Sequence, residues 1–265
     1  MAQVATEATI RTVQDYWDAR PCNIRHSGKA VGTREYFDEV EQRKYFVEPH
    51  IPGFAQFERW AGKRVLEVGC GIGTDSISFA RAGALVTAVD LSEKSLGLAR
   101  TRAQVYGLQE RVRFFQADAE SLAERLPAEK YDLVYSFGVI HHTPQPWRAI
   151  ESIAGFMSED SELRLMIYAR SSWKAAMIDA GLDRPEAQAG CPVAFTYDEN
   201  EARALLSGFE VLELRQDHIF PYVIEKYVRY EYELQPWFKS MPVEVFRALE
   251  KRLGWHMLIR ARLRR

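Results

Sequence analysis

The sequence predicts an open α/β fold: a seven-stranded, mostly parallel sheet with helices on both faces, an N-terminal helical cap, and a helical insertion before the last strand. Three observations predict it. From residue 62 onward, short β-rich runs alternate with amphipathic segments, the rhythm of strands joined by crossover helices. The first of these runs, RVLEVG, has the composition of a strand buried on both faces. A chain of 265 residues that is 47% hydrophobic can bury one large core, so a single elaborated domain is expected rather than two independent ones. Within it we expect a cap over residues 1–60, a core over 61–220, a lid over 221–250, and the last strand with a basic tail over 251–265.

The elements follow in order. Arg64 to Gly69 is the first strand; a Gly-rich turn leads into a helix from about Thr74 to Ala82, which Gly83 closes. Ala84 to Asp90 is the second strand. Ser92 is an N-cap with Glu93 in the first turn, and Leu96, Ala99, Ala103 and Tyr106 recur at helical spacing until Gly107. Val112 to Ala117, Tyr131 to Phe137 and Leu163 to Tyr168 are strands three to five; Trp147, Ile150, Ala154 and Met157 mark a helix between the last two. Phe195 to Ser207 reads as a helix, Phe209 to Leu214 as strand six and Trp255 to Ala261 as strand seven. The aromatic-rich stretch between those strands, with Phe220, Tyr222, Tyr227, Tyr230, Tyr232, Trp237 and Phe238, is expected to be mostly helical and to fold over one sheet edge.

Charge and cysteine usage exclude several classes. Lys+Arg 35 against Asp+Glu 37 leaves no chain-wide footprint for nucleic acid, and a small-molecule partner fits better. The local exception is the C-terminus, where Arg247, Lys251, Arg252, Arg260, Arg262, Arg264 and Arg265 gather with Glu250 as the one opposing charge, either as a solvated end or as an anion contact. Cys22, Cys70 and Cys191 are too few and too scattered for a disulfide framework or zinc spacing. Residues 1–20 carry Glu7, Asp15 and Asp18 and do not resemble a secretory signal, and no apolar run is long enough for a membrane span. A cytoplasmic location is expected.

The chemistry concentrates in Glu67-Val68-Gly69-Cys70-Gly71-Ile72-Gly73-Thr74-Asp75, a G-x-G-x-G turn between a strand and a helix. Such a turn lets backbone approach a ligand closely and presents free helix N–H groups to an anion. The dinucleotide fingerprint G-x-G-x-x-G would need glycine at 74 or 76, where Thr74 and Ser76 stand, and no P-loop signature is present. The form acidic-x-G-x-G-x-G after the first strand, here EVGCGIG, resembles the first motif of class I, S-adenosylmethionine (SAM)-dependent methyltransferases. Over roughly residues 60–215 the order of motifs is similar to the UbiE/UbiG-like small-molecule members of that family. The resemblance implies a Rossmann-like sheet and SAM as cofactor, with Gly69, Gly71 and Gly73 forming its turn. It also implies that Asp90 accepts from the ribose hydroxyls, Leu91 packs on the adenine, Asp118 and Ala119 meet the adenine edge, and the SFGVIHH segment from Ser136 lines the floor near the sulfonium. Glu67 either braces the turn or contacts the cofactor. Tyr16 either reaches the methionine end or packs in the core.

Methyl transfer from a sulfonium needs alignment and water exclusion more than a protein nucleophile, and a general base only for a neutral hydroxyl acceptor. The catalytic candidates are His141 and His142, just after strand four, and His218, just beyond strand six. Each is either a base or a structural, substrate-shaping histidine. Tyr168 and Arg170 end strand five at the same edge. No metal site is expected, since no third ligand accompanies the adjacent histidines. Competing readings are methylation of RNA or protein, against which SFGV replaces the N-P-P-[YF] motif of base-amine enzymes, and a SAM-binding protein without turnover.

Overall fold

The computed structural model describes residues 9–183 and 190–264; Glu7 and Arg265 fall outside them. Eight strands form one sheet: β1 (Arg64–Val68), β2 (Leu85–Asp90), β3 (Val112–Gln116), β4 (Tyr131–Phe137), β5 (Met157–Ala169), β6 (Thr196–Tyr197), β7 (Phe209–Asp217) and β8 (His256–Leu263). Their order is β3-β2-β1-β4-β5-β8-β7, with the two-residue β6 beside the end of β5. β8 alone runs antiparallel, between β5 and β7. This is the mostly parallel, seven-stranded architecture the sequence predicts, with one short strand added.

Helices cover both faces because each supplies one apolar stripe to a sheet whose central strands are mostly apolar on both sides. On one side α6 (Pro146–Ala154) and α8 (Glu199–Leu205) place Ile150, Ile153 and Ala202 against Leu66, Val134 and Leu165. On the other, α3 (His50–Ala55), α4 (Thr74–Arg81) and α5 (Glu93–Val105) place Phe54, Ile77, Phe79 and Leu96 against Val65, Val86 and Leu133. Two N-terminal helices, α1 (Ile10–Ala19) and α2 (Arg34–Val47), precede this core, and Tyr36, Phe37 and Val40 of α2 pack on Ile72 of the glycine turn. Between β5 and β6 lies α7 (Trp173–Asp179); between β7 and β8 lie α9 (Ile224–Tyr227), α10 (Pro236–Lys239) and α11 (Val243–Leu253). No helix among the described residues is long and apolar enough to cross a membrane.

Three sequence expectations need correction. Met157 is not part of the α6 stripe; the helix stops at Ala154 and Met157 opens β5, where it pairs with Tyr131. The polar run Ser158 to Asp160 hid that early start. The helix expected from Phe195 begins at Glu199, because Asp198 and Glu201 form a reciprocal capping box, and Thr196 and Tyr197 are left to pair with β5. The basic C-terminus is not opposed by Glu250 alone: Arg260 pairs with Glu162 and Glu213, and Arg262 with Glu210. These two arginines are the cross-strand partners of β7 and β5 carboxylates.

Arg102 is the side chain that locks the N-terminal helices to the sheet. Fully buried on α5, it donates to Thr74 Oγ1 at 2.6 Å, to the Phe37 carbonyl at 3.1 Å and to Glu41 Oε2 at 3.1 Å. Replacing it with leucine strands two buried acceptors. Arg102→Leu is expected to lower stability by about 3 kcal/mol, read as a fall in the urea midpoint; an unchanged midpoint would show that α2 is held without it, by its apolar contacts and by the Lys44 and Tyr45 bonds to Asp75.

Candidate functional site

The strand order reverses between β1 and β4, and there the carboxyl ends of β1, β2, β3 and β4 open onto one cavity of about 910 Å³. That volume is near the upper end of the roughly 300–1,000 Å³ typical of small-molecule sites, and the position is the topological switch point of open α/β sheets. The first wall is the glycine turn. Gly69, Gly71 and Gly73 all have positive φ, at 81°, 54° and 78°, which residues with a Cβ rarely adopt. Two of the three also allow a close contact. A Cβ on Gly69 would stand 2.1 Å from Val139; one on Gly73 would meet Ala99 of α5 at 3.0 Å; one on Gly71 would meet no atom within 4 Å and would project from the cavity wall. Gly69 and Gly71 line the cavity, whereas Gly73 packs the turn against α5.

Asp90, at the end of β2, is the next wall. Its Oδ2 accepts from the Gly71 amide at 2.8 Å and its Oδ1 from the Ser92 amide at 2.9 Å. Each carboxylate oxygen can accept a second bond, so two lone pairs remain for a pair of hydroxyls. Burial pushes its carboxyl up to about 6, against the pull of the Ser92 and Gly71 amides. Leu91, Asp118 and Ala119 line the same side. Asp118 caps the short helical turn after β3 through the Glu120 amide at 2.9 Å.

Glu67 and Ser136 sit deeper. Glu67 reaches the cavity and accepts from Ser76 Oγ of α4, which braces the turn; burial, then the neighbouring Asp75 carboxylate, pushes its carboxyl up. Ser136 does not line the cavity. Its hydroxyl donates to the Val68 carbonyl at 3.0 Å and joins β4 to β1, leaving Phe137, Gly138 and Val139 as the floor. Tyr16 is not a lining residue either; one position on, Trp17 lines the cavity and sits against His142 with ring centroids 5.5 Å apart.

The three candidate histidines part company. His141 is fully buried against Tyr168, 3.8 Å between centroids, with neither ring nitrogen hydrogen-bonded among the described residues, and it does not line the cavity. His142 does, with Nδ1 2.6 Å from the Val193 carbonyl. His218 also lines it, in a left-handed backbone conformation with φ 72°; a non-glycine residue held there costs about 1–3 kcal/mol and such positions cluster at functional sites. Burial, then His50, lowers the His218 imidazole to about 3. Tyr168 lines the cavity, while Arg170 turns away to pair with Glu201.

Sequence reasoning missed a second group on the far wall: Lys44 and Glu48 from α2 and its C-cap, Asp75 from α4, and Trp255 and His256 at the start of β8. Lys44 Nζ and Tyr45 OH donate to Asp75 Oδ1 at 2.8 and 2.9 Å, and Tyr135 OH to Oδ2 at 2.9 Å. A signal was present: in an antiparallel β7–β8 pair, histidines at the end of one strand and the start of the next fall side by side, and Asp217 is indeed opposite His256.

Residues 65–160 match the family described as a methyltransferase domain. The chain is 43% identical over 94 residues, 36% of its own length and 39% of the relative's, to a ubiquinone biosynthesis O-methyltransferase of Aromatoleum aromaticum, so it spans well under half of that curated relative. The matched stretch, which holds the glycine turn, Asp90 and Asp118, has the sequence of a methyltransferase domain. Over 97% of the chain its fold is similar to the magnesium protoporphyrin IX methyltransferase of Synechocystis PCC 6803 with bound SAH, which it covers completely (TM-score 0.63, 20% identity). A [4+2]-cyclase has the same fold over 96% of this chain (TM-score 0.55, 18% identity), so the fold by itself does not specify the reaction.

The residues of this methyltransferase domain fit SAM. The Gly71 backbone leaves open space where a side chain would intrude, and Asp90 keeps two acceptor positions. Hydroxyls donating to Asp90 favour its ionised form, so binding strengthens as pH rises through about 6 and levels off above it. Calorimetry should give SAM a dissociation constant about tenfold weaker at pH 5 than at pH 8, with that dependence lost in Asp90→Asn. A profile that is flat in the native protein contradicts the assignment of Asp90.

Proposed function

We propose that the chain is a SAM-dependent methyltransferase (EC 2.1.1 type) acting on a small-molecule acceptor, with in-line methyl transfer inside the one cavity. The observation that carries this is the continuity of the cavity: the wall of Gly69, Gly71, Asp90 and Asp118 runs past Phe137 and Val139 into a second chamber lined by Tyr168, Trp173, Tyr227 and Trp255. Flat aromatic surfaces suit an apolar, planar acceptor, and the polar groups among them, Lys44, Glu48, His142 and His218, suit its heteroatoms. When bound, SAM supplies an electrophilic methyl group with its leaving group already in place.

The chain's own residues then have alignment and shielding left to do. Gly69, Gly71, Asp90, Leu91, Asp118 and Ala119 hold the nucleoside end, and Glu67 keeps the turn in shape through Ser76. Segments 1–60 and 221–250 act as cap and lid. Arg43 of α2 stacks on Tyr227 at 4.0 Å and Tyr230 at 4.3 Å, which ties the two together over the chamber and keeps water from the reacting groups. His142 and His218 face the acceptor; His141 packs against His142 and Tyr168 behind the wall. At about 3, the His218 imidazole is neutral near pH 7 and too weak a base to act alone there. Three cysteines, too few and too scattered for a disulfide framework, accord with a reducing cytoplasm.

Incubation with methyl-labelled SAM and a metabolite extract, read by mass spectrometry, tests the proposal. A labelled small product is expected. Label confined to RNA or protein, or none from a chain that binds SAM, would replace it with a macromolecular methyltransferase or a SAM-binding protein without turnover.

A further inference from the structure

The chamber holds a set of side chains that neither the cofactor nor the glycine turn uses. Glu48, His218 and His256 each offer a ligand atom, and those atoms lie within 4.8 Å of one another. All three line the cavity. His256 Nε2 stands 3.7 Å from Glu48 Oε1, too long for a hydrogen bond but close to the roughly 3.4 Å that separates two ligands on a tetrahedral ion.

We propose that Glu48, His218 and His256 bind a divalent transition-metal ion of the zinc type, with an open position toward the cavity for water or an oxygen of the acceptor. Two imidazoles and one carboxylate are the donor set of open, catalytic zinc sites rather than closed structural ones. Three features of this chain point the same way. His50 Nε2 lies 3.0 Å from His256 Nδ1; a proton held between those nitrogens on the His256 side leaves its Nε2 as a lone pair facing Glu48, the arrangement that orients metal-binding histidines. The His218 imidazole is more than nine-tenths buried, faces the cavity and makes no hydrogen bond to a described residue. Its backbone is held at φ 72°, and Gly254 lets that hold be tight: a Cβ there would stand 2.2 Å from the Asp217 carbonyl. Of the nearby cations, Lys44 is neutralised by Asp75 at 2.8 Å and Lys174 by Asp183 at 3.1 Å.

The use of the ion rests on the proposed function, since it would polarise an oxygen of the acceptor at a wall whose His218 and His256 imidazoles are taken up as ligands. Binding itself is measured without turnover. Protein stripped with a chelator is titrated with Co(II) alone. One equivalent should bind, with the intense visible d–d bands of a four- or five-coordinate site, and Zn(II) should displace it. Glu48→Gln and His256→Ala should lose the bands, and His50→Ala should weaken binding about 10–100-fold. X-ray absorption of the zinc-loaded native protein, which needs no variant to fold, should show two imidazole ligands. No Co(II) or Zn(II) bound by the native chain, or bands unchanged in both Glu48→Gln and His256→Ala, overturns the site. Methyl transfer by a chain that binds no ion overturns it too and leaves the proposed function standing; a bound ion on a chain without methyl transfer supports the site and counts against that function.

Discussion

Asp75, a carboxylate with almost no exposed surface, accepts from Lys44, Tyr45 and Tyr135 at once, and both halves of the cavity depend on where those three bonds put it. It is the second residue of α4, immediately past the glycine turn, so fixing it fixes the turn. Its partners come from α2 and β4, so the same bonds draw the N-terminal helices down to the sheet. A buried charge left without such partners would cost several kcal/mol; with three donors it becomes a rigid joint instead. Tyr45 extends the joint to Ser78 at 2.8 Å, and Arg102 repeats it one turn away through Thr74 and the Phe37 carbonyl.

That joint places two chemically different walls against each other. The wall of β1, β2 and β3 is built from backbone and carboxylate: glycine amides, Asp90, Asp118. It suits a cofactor with hydroxyls and a heterocycle to recognise. The opposite wall is aromatic and imidazole-rich; burial lowers the His218 imidazole to about 3, like that of His50 beside it, and His256 well below its ordinary value. Glu48 is pushed up to about 7 by the same burial. A wall of this kind offers lone pairs more than charge, and Lys44 stands between the two halves.

Much of this was legible in the sequence where one residue type answers one local need. The G-x-G-x-G turn, Asp90 at the end of β2 and Asp118 after β3 are local signals, because strand ends in a parallel sheet all point to the same edge. Ser92 and Glu93 likewise announced α5. What stayed hidden depends on contacts distant in sequence. Lys44 and Glu48 read as ordinary charges on an amphipathic helix, and nothing local distinguishes them from solvated ones until α2 is laid over the sheet. His50 and His256 are 206 residues apart. Tyr16 and Trp17 show the limit of resolution: helical rotation turns the ring of Trp17, and not that of Tyr16, into the cavity. The tail arginines looked unopposed because their carboxylate partners lie on other strands.

The wall formed by the glycine turn and Asp90 suits a sulfonium nucleoside rather than a dinucleotide. The most direct measurement is thermal unfolding of the native chain with saturating SAM, S-adenosylhomocysteine or NAD, since a ligand of the folded state raises Tm in proportion to its occupancy and affinity. SAM and S-adenosylhomocysteine should each raise Tm by several degrees and NAD should leave it unchanged. A rise with NAD, or none with SAM, would contradict the account.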